Sequence, residues 1–201
     1  MSEILLSILI PVTPDRQKMA DKLEFEFWRQ MKDLLPHIEI IQELDNKEMT
    51  IGEKRNIMYQ KANGIYSVQW DSDDWISDDG IKKIFNSIMK CDYDCCTYEE
   101  YVNIDGKEYK SNHSLQYENW DGDGNKIFSD GFHFHRTPFF KSVIKTEIAK
   151  SVPVPHERFG EDHHWAQALK SNLKSEVHIP EQIYHYLHIS SDFNERYGIK
   201  Q

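Results

Sequence analysis

The sequence predicts one α/β domain with a mixed, largely parallel central sheet and helices on both faces. Apolar runs of strand length alternate with segments of helical periodicity over the first ninety residues, and such alternation produces parallel strands joined by crossover helices. Residues 4–13 (ILLSILIPVT) are almost continuously apolar, which is typical of a strand covered on both faces. A chain of 201 residues can bury one core, so we expect a single domain over residues 1–201.

The next two elements follow this first strand directly. Apolar side chains recur at helical spacing between about Gln17 and Leu35, and Pro36 ends the segment. Residues 37–44 (HIEIIQEL) then predict a second strand that finishes near Asp45.

A second helix and a third strand lead to the most acidic turn of the chain. Thr50 and Glu53 have the spacing of a capping box, so a helix starts there. The apolar strand 65–70 then runs into 71–74 (DSDD), and we expect Ser77 to cap a third helix.

Shorter strands and turns characterise the second half, residues 91–201. Residues 93–98 predict a strand, and Asp105-Gly106 favours a tight hairpin turn. Alternation over 132–135 predicts another strand, and a helix begins near Gly160.

Charge and cysteine content exclude several classes of protein. A net charge of −10 without any basic run disfavours a general nucleic-acid or anionic-membrane surface. Cys91, Cys95 and Cys96 are odd in number and lack zinc-site spacing, which indicates a reducing compartment and, by default, the cytoplasm. The apolar run 4–12 lacks a basic flank and breaks at Pro11, so it predicts neither a signal peptide nor a membrane span.

The acidic turn is the strongest candidate for a site. Asp71, Asp73 and Asp74 follow a buried strand, where their mutual repulsion favours a bound cation. Oxygen ligands suit Mg²⁺ or Mn²⁺, which leave coordination positions for water and substrate phosphates. In open α/β sheets, ligands bind at this edge. The alternative is a solvated acidic turn.

Four blocks of sequence carry a family resemblance. Residues 7–12 (SILIPV), 54–56 (KRN) followed by 62–64 (ANG), 71–75 (DSDDW) and 159–166 (FGEDHHWA) together resemble family 2 glycosyltransferases of the GT-A fold. The resemblance covers most of the chain. It implies a metal-dependent, inverting transfer of a sugar from a nucleotide-diphosphate sugar, for which we expect UDP, to a hydroxyl group.

Roles on the donor side follow from the chemistry and from this resemblance. We expect Asp73 to be the first metal ligand, Asp71 to meet both ribose and metal, and Asp74 to be a third contact. Either Lys54 or Arg55 adds positive charge near the phosphates, or both simply coat their helix.

By the resemblance, Pro11, Thr13 and Asp45 cradle the nucleoside base, although the same residues suit ordinary turns. The family often has consecutive aspartates after the second strand, where this chain has Glu43 and Asp45.

An inverting transfer needs a general base, and Glu161 and Asp162 offer two carboxylates at a helix start. Helical geometry does not separate them, but the resemblance assigns the base to Asp162. The alternative is a favourable charge at the helix N-terminus. A late histidine can reach the metal in GT-A enzymes, and His188 or His185 fits that role.

The acceptor side is predicted from residues 132–145 (FHFHRTPFFKSVIK), where positive and aromatic side chains interleave. We assign acceptor binding to His135, Arg136 and Lys141, together with Trp75 behind the acidic turn. A saccharide acceptor is slightly preferred. Compact proteins resembling this family occur in bacteriophages, where some decorate hydroxymethylated bases, so a modified DNA base is the alternative acceptor, and the host cytoplasm the location if the chain is phage-encoded.

Residues 1–90 thus form the predicted half for nucleotide sugar and metal, and residues 91–201 the half for acceptor and base. Two other classes stay open. A glycoside hydrolase would use two carboxylates without metal or nucleotide, and a non-catalytic module would bind the nucleotide sugar without transferring it.

Overall fold

Nine strands form one mixed sheet in residues 3–32, 34–90 and 92–189, the part of the chain that this computed structural model describes. The strands are β1 (Leu6–Val12), β2 (Ile38–Leu44), β3 (Tyr66–Gln69), β4 (Trp75–Ile76), β5 (Cys95–Ile104), β6 (Lys107–His113), β7 (Phe134–Arg136), β8 (Val143–Lys145) and β9 (Glu176–His188). The helices are α1 (Gln17–Met31), α2 (Ile51–Lys61), α3 (Gly80–Ile88), α4 (Thr146–Ser151) and α5 (Glu161–Lys170), with a 3₁₀ turn at Pro14–Arg16.

The sheet runs in the order β2-β1-β3-β8-β5-β6-β7, and β9 lies along β5 and also pairs with β4. β1 is parallel to both β2 and β3, and the long β5 is parallel to β9. The antiparallel pairings are the β5–β6 hairpin, β8 against both β3 and β5, and β4 against β9. The predicted α/β class with a mixed, largely parallel sheet in a single domain is confirmed.

Helices cover both faces of the sheet, because β1 carries apolar side chains on each face. Leu6, Ile8 and Ile10 pack with the apolar stripes of α1 and α3, whereas Leu9 packs with α2 and α5 on the opposite face. Every residue of β1 is buried, as the continuous apolar run predicts.

Local signals set most element boundaries, with two exceptions. The capping box of Thr50 and Glu53 is present at the start of α2. The predicted end of α1 at Leu35 is wrong: the helix stops at Met31, where the Leu34 N–H bonds to the Met31 carbonyl in a tighter i→i+3 turn, and Leu35, directly before Pro36, avoids helical geometry. Ser77 is not a cap either. α3 starts at Gly80, and Gln30 of α1 accepts the hydrogen bond of its Ile81 N–H at 3.0 Å.

The hairpin prediction is confirmed, since Asp105 and Gly106 adopt φ of 52° and 83° between β5 and β6. Of the three cysteines, Cys95 and Cys96 are buried free thiols, and Cys91 lies outside the described residues. No helix in the described ranges is long and apolar enough to cross a membrane.

Candidate active site

A cavity of about 560 Å³ opens beside the carboxyl ends of β1, β2 and β3, where open α/β sheets bind their ligands. Most residues that the sequence predicts for the site line it. These are Pro11, Thr13, Asp45, Lys54, Arg55, Asp71, Asp73, Asp74, Arg136, Lys141, Glu161, Asp162 and His188. Residues from both halves of the chain therefore meet in one space.

Arg55 joins the acidic turn to the start of α5. Its guanidinium donates to Gln69 Oε1 at 2.8 Å, to Asp71 Oδ1 at 3.2 Å and to Glu161 Oε1 at 3.2 Å. The Phe140 ring lies 3.5 Å from the guanidinium carbon. Three of its five N–H donors and one face of the guanidinium are thus engaged by protein, which limits its capacity to contact a phosphate directly.

The charges of Arg55 and its neighbouring carboxylates stabilise each other in their ionised forms. Burial alone would lower the pKa of Arg55, but the carboxylates of Asp71 and Glu161 outweigh burial and raise it. Burial raises the pKa of Glu161 above its ordinary value, and Arg55 opposes that shift. Arg55 is therefore a fixed positive charge beneath the acidic turn.

The two outer aspartates of the turn have different surroundings. Both oxygens of Asp73 pair with Arg16 at the cavity edge, one of them at 2.6 Å. Asp74 is buried and accepts hydrogen bonds from the Tyr184 hydroxyl at 2.5 Å and the Leu187 N–H at 2.9 Å. These partners tie Asp74 to β9, which favours Asp73 and Asp71 over Asp74 as metal ligands.

The residues present fit a cation held by few protein ligands. In residues 3–32, 34–90 and 92–189, no group of three or more His, Cys, Asp or Glu side chains is arranged to hold a metal ion. Mg²⁺ and Mn²⁺ sites often use one or two carboxylates and complete their shell with water and phosphate. Asp71 and Asp73 line the same cavity and match that donor set.

On the donor side, Lys54 connects the ends of β1 and β2. Its buried ammonium donates to the Val12 carbonyl at 2.6 Å and forms an ion pair with Asp45. Asp45 also accepts from the Met49 N–H at 3.1 Å. The Lys54 side chain holds Asp45 at the cavity wall near Pro11 and Thr13, which is a positioning role and not a phosphate contact.

The two candidate bases differ in access. Glu161 is 5% exposed and pairs with Arg55. Asp162 is half-buried, lines the cavity and accepts the backbone N–H of His163 at 2.7 Å. Gly160 adopts φ of 85° immediately before the helix, a conformation that glycine adopts at little cost. This geometry leaves Asp162 as the more accessible carboxylate.

Deeper in the cavity, Lys141 belongs to a buried charge cluster. Its ammonium lies 2.7 Å from Glu100 and 3.8 Å from Asp74, over the rings of Tyr184 and Tyr186. Burial lowers the pKa of Lys141, but Glu100 outweighs burial and raises it. Lys141 is thereby engaged inside the protein, at the cavity floor.

Two predicted acceptor residues lie elsewhere. The His135 ring is stacked between those of Tyr117 and Phe128, with ring centroids 4.2 and 4.1 Å away. Successive side chains of a strand point to opposite faces, so His135 points away from Arg136 and the cavity. Trp75 packs against the core and beneath Lys22, 5.0 Å from its ring. Neither residue lines the cavity, so neither is retained as an acceptor residue.

The alternating direction of side chains along β9 also separates His185 from His188. His188 lines the cavity, and its Nδ1 lies 3.3 Å from the Tyr186 hydroxyl. His185 pairs in register with Trp75 and meets the edge of Tyr101 instead. His188 is thus the histidine placed at the cavity.

Sequence reasoning missed Arg16, Glu100, Trp120 and Tyr184. Arg16 precedes α1 by one residue, and its position after the first strand was the available signal. Glu100 and Trp120 line the cavity from β5 and from a loop, where no local pattern marks them. Tyr184 stacks on Trp70 at 4.4 Å, a contact 114 positions apart in the chain that spacing does not reveal.

Comparisons with known proteins agree with the fold. No protein-family model and no curated protein matches the sequence. Among solved structures, S. aureus TarS 1–349 is similar with a TM-score of 0.63 at 15% identity, covering 96% of this chain and 63% of TarS 1–349. Its complex with UDP-GlcNAc has a TM-score of 0.62 at 13% identity, covering 90% of this chain and 58% of that one.

The catalytic domain of Drosophila β1,4-galactosyltransferase 7, solved with xylobiose, has a TM-score of 0.52 at 11% identity and covers 98% of this chain and 74% of that one. These likenesses define a GT-A type fold for the chain. The chain spans less than two thirds of the length of the TarS structures that it matches.

Proposed function

We propose that this chain is a glycosyltransferase that moves a sugar from a nucleotide-diphosphate sugar, a UDP-sugar, to a hydroxyl group of an acceptor. One observation carries the proposal: a single cavity places Asp71 and Asp73, at the end of β3, in the same space as Asp162, at the start of α5. A GT-A type fold similar to that of TarS, which was solved with UDP-GlcNAc, supports it, as do the sequence blocks that resemble family 2.

On the donor side, Asp71 and Asp73 would hold a Mn²⁺ or Mg²⁺ ion beside the donor diphosphate. The ion supplies Lewis-acid stabilisation of the charge on the leaving diphosphate. Asp73, which pairs with Arg16 in this structure, would be the first ligand of that ion, and Lys54 keeps Asp45 against the nucleoside. Arg55 holds Asp71 in place from below.

On the acceptor side, Asp162 acts as the general base of an inverting displacement. The acceptor oxygen forms a bond to the anomeric carbon while the bond from that carbon to the diphosphate oxygen breaks. The hydroxyl proton passes to the Asp162 carboxylate. Glu161, fixed by Arg55, positions the first turn of α5 so that Asp162 faces the cavity.

Donor binding tests the proposal directly. The melting temperature is measured with UDP, GDP and TDP, each with Mn²⁺ or with EDTA, for the wild type and for Asp73→Asn. We expect UDP to stabilise the wild type only when Mn²⁺ is present, by the amount that ligand linkage dictates, and Asp73→Asn to lose most of this effect because one charged ligand is removed.

Asp79→Asn is the matched control, since Asp79 is an exposed aspartate outside the cavity. Equal stabilisation of wild type and Asp73→Asn by UDP in EDTA would contradict the metal site. A lack of stabilisation by every nucleotide would contradict the donor site itself.

A further inference from the structure

Arg136 differs from five other cations that line the cavity. Lys47, Lys54 and Lys141 pair with carboxylates, as do Arg16 and Arg55. Arg136 has no carboxylate within 4.0 Å among the described residues. Its Nη1 donates to two backbone carbonyls, Asp121 at 2.6 Å and His135 at 2.9 Å.

Aromatic rings fix this guanidinium in place. Trp120 and Phe134 lie with ring centroids 5.1 and 4.9 Å from the guanidinium carbon, and all three side chains line the cavity. Two cation–π contacts hold the plane of the group without neutralising its charge. Arg136 therefore presents an oriented, half-buried positive charge to the cavity.

The surroundings leave this charge uncompensated. Burial lowers the pKa of Arg136, and the more distant carboxylates of Glu100, Asp162 and Asp121 oppose that shift only in part. Glu100 is already neutralised by Lys141 at 2.7 Å, so it does not repel an anion strongly. A desolvated cation of this kind gains most from an oxyanion that fits its fork geometry.

A second polar group points to a ligand. The Ser111 hydroxyl is buried and lines the same cavity, and it has no hydrogen-bond partner among the residues described. Ser111 is paired in register with Phe134, two residues before Arg136. Buried polar groups are normally satisfied, and Ser111 lies on the strand beside that of Arg136 in the same cavity, where a ligand would supply the missing partner.

We propose that the acceptor is a saccharide carrying an oxyanion, a carboxylate or a phosphate, which Arg136 binds while Asp162 meets the reacting hydroxyl. The proposal rests on the proposed glycosyltransferase function. Proximity supports it: His163, next to Asp162, contacts the Trp120 ring at 5.1 Å, and that ring also holds Arg136. The aromatic walls suit the apolar face of a sugar ring.

Nuclear magnetic resonance titrations with glucose, glucuronate and glucose 6-phosphate, in the presence of UDP and Mn²⁺, test this assignment. We expect at least one anionic sugar to bind about 10- to 100-fold more tightly than glucose, the range expected for a charge-assisted hydrogen bond. Arg136→Gln should remove that preference and Arg136→Lys should retain part of it. The two anionic sugars separate a carboxylate acceptor from a phosphate acceptor.

Lys82→Gln, an exposed charge removal outside the cavity, should keep the full preference. Equal binding of all three sugars by the wild type, or an unchanged preference in Arg136→Gln, overturns the proposal. A hydroxymethylated duplex that binds the wild type but not Arg136→Gln overturns it in favour of nucleic acid. UDP affinity of the same samples separates these outcomes from a failure of the donor site, which Arg136→Gln should leave unchanged.

Discussion

Asp162 and Glu161 are neighbours in the chain, yet the structure gives their carboxylates different surroundings. Glu161 is buried against Arg55, whereas Asp162 reaches the cavity without a cationic partner within 4.0 Å among the described residues. A general base must come within hydrogen-bond reach of the reacting proton. Access to the cavity therefore supports the proposed role of Asp162 as the base.

Substitution at these two positions separates chemistry from structure. Asp162→Asn should lower kcat by about 10² to 10⁴ while UDP affinity stays unchanged, because the base acts only in the chemical step. Glu161→Gln should lower kcat less, since it weakens the ion pair with Arg55 without removing the base. Initial rates and UDP calorimetry measure both effects. A larger loss in Glu161→Gln would transfer the base to Glu161.

Arg55 tests whether the buried cation needs the shape of a guanidinium. Arg55→Lys keeps the charge but cannot contact Gln69, Asp71 and Glu161 together. We expect the free energy of unfolding to fall by about 1 to 3 kcal/mol, because buried acceptors lose their donors. Urea denaturation measures this change.

Arg29→Lys is the control for Arg55→Lys, because Arg29 pairs with Glu26 on an exposed face of α1. Its effect should stay within about 0.5 kcal/mol. Equal effects of the two substitutions would argue against a structural role for the Arg55 contacts.

At the scale of elements, β9 holds the acidic turn in place. The Tyr184 ring stacks on Trp70, and its hydroxyl both donates to Asp74 and accepts from the Asp71 N–H at 3.2 Å. The turn that carries the proposed metal ligands thus depends on a strand more than one hundred residues later in the chain. Asp74 is buried, so the loss of a hydrogen-bond donor there is costly.

Tyr184→Phe removes that hydroxyl and little else. We expect a loss of about 1 to 3 kcal/mol in the free energy of unfolding, because buried Asp74 loses a donor, together with weaker binding of UDP and Mn²⁺. Tyr101→Phe is the control, since the Tyr101 hydroxyl donates to the exposed Glu108. Unchanged nucleotide affinity in Tyr184→Phe would show that β9 does not position the turn.

The elements that the sequence predicted well are those with a strong local signal. β1 is uniformly apolar, and α2 begins at a capping box, so composition and spacing suffice. β8 was missed because three residues leave no periodicity to detect. β7 is also only three residues long, so the sequence did not show which of its side chains face the cavity. His135 and Arg136 were therefore assigned to one site, although they face opposite sides of the strand.

The sequence predicted those residues of the candidate site whose position follows from the end of a strand or the start of a helix. Carboxylates after β3 and at the start of α5 were placed in the cavity by topology alone. The pairing of Asp73 with Arg16 and the contacts of Lys54 were not predictable, because they depend on side-chain reach between segments 57 and 42 positions apart. Sequence spacing carries no information at that range.

At the scale of the whole molecule, the cavity floor contains a buried charge cluster centred on Glu100 and Lys141. Burial would raise the pKa of Glu100, but Lys141 outweighs burial and holds it at about 2. His113 lies 3.1 Å from the same carboxylate. Such a cluster gains stability only while Glu100 is ionised, so folding of the whole chain is linked to pH through this group.

The sign of that linkage gives the last prediction. The pKa of Glu100 is about 2 in the folded protein against 4.5 ordinarily, so its contribution is complete above about pH 4.5 and is lost as the pH falls towards 2. Urea denaturation between pH 2.5 and 7 measures it. Glu100→Gln alone should destabilise the protein by about 3 to 5 kcal/mol at neutral pH, because Lys141 is left buried without its main partner. Glu100→Gln combined with Lys141→Met should recover much of that loss and show a shallower decline in acid than the wild type. An identical acid profile in the wild type and the double variant would mean that other carboxylates control the acid sensitivity.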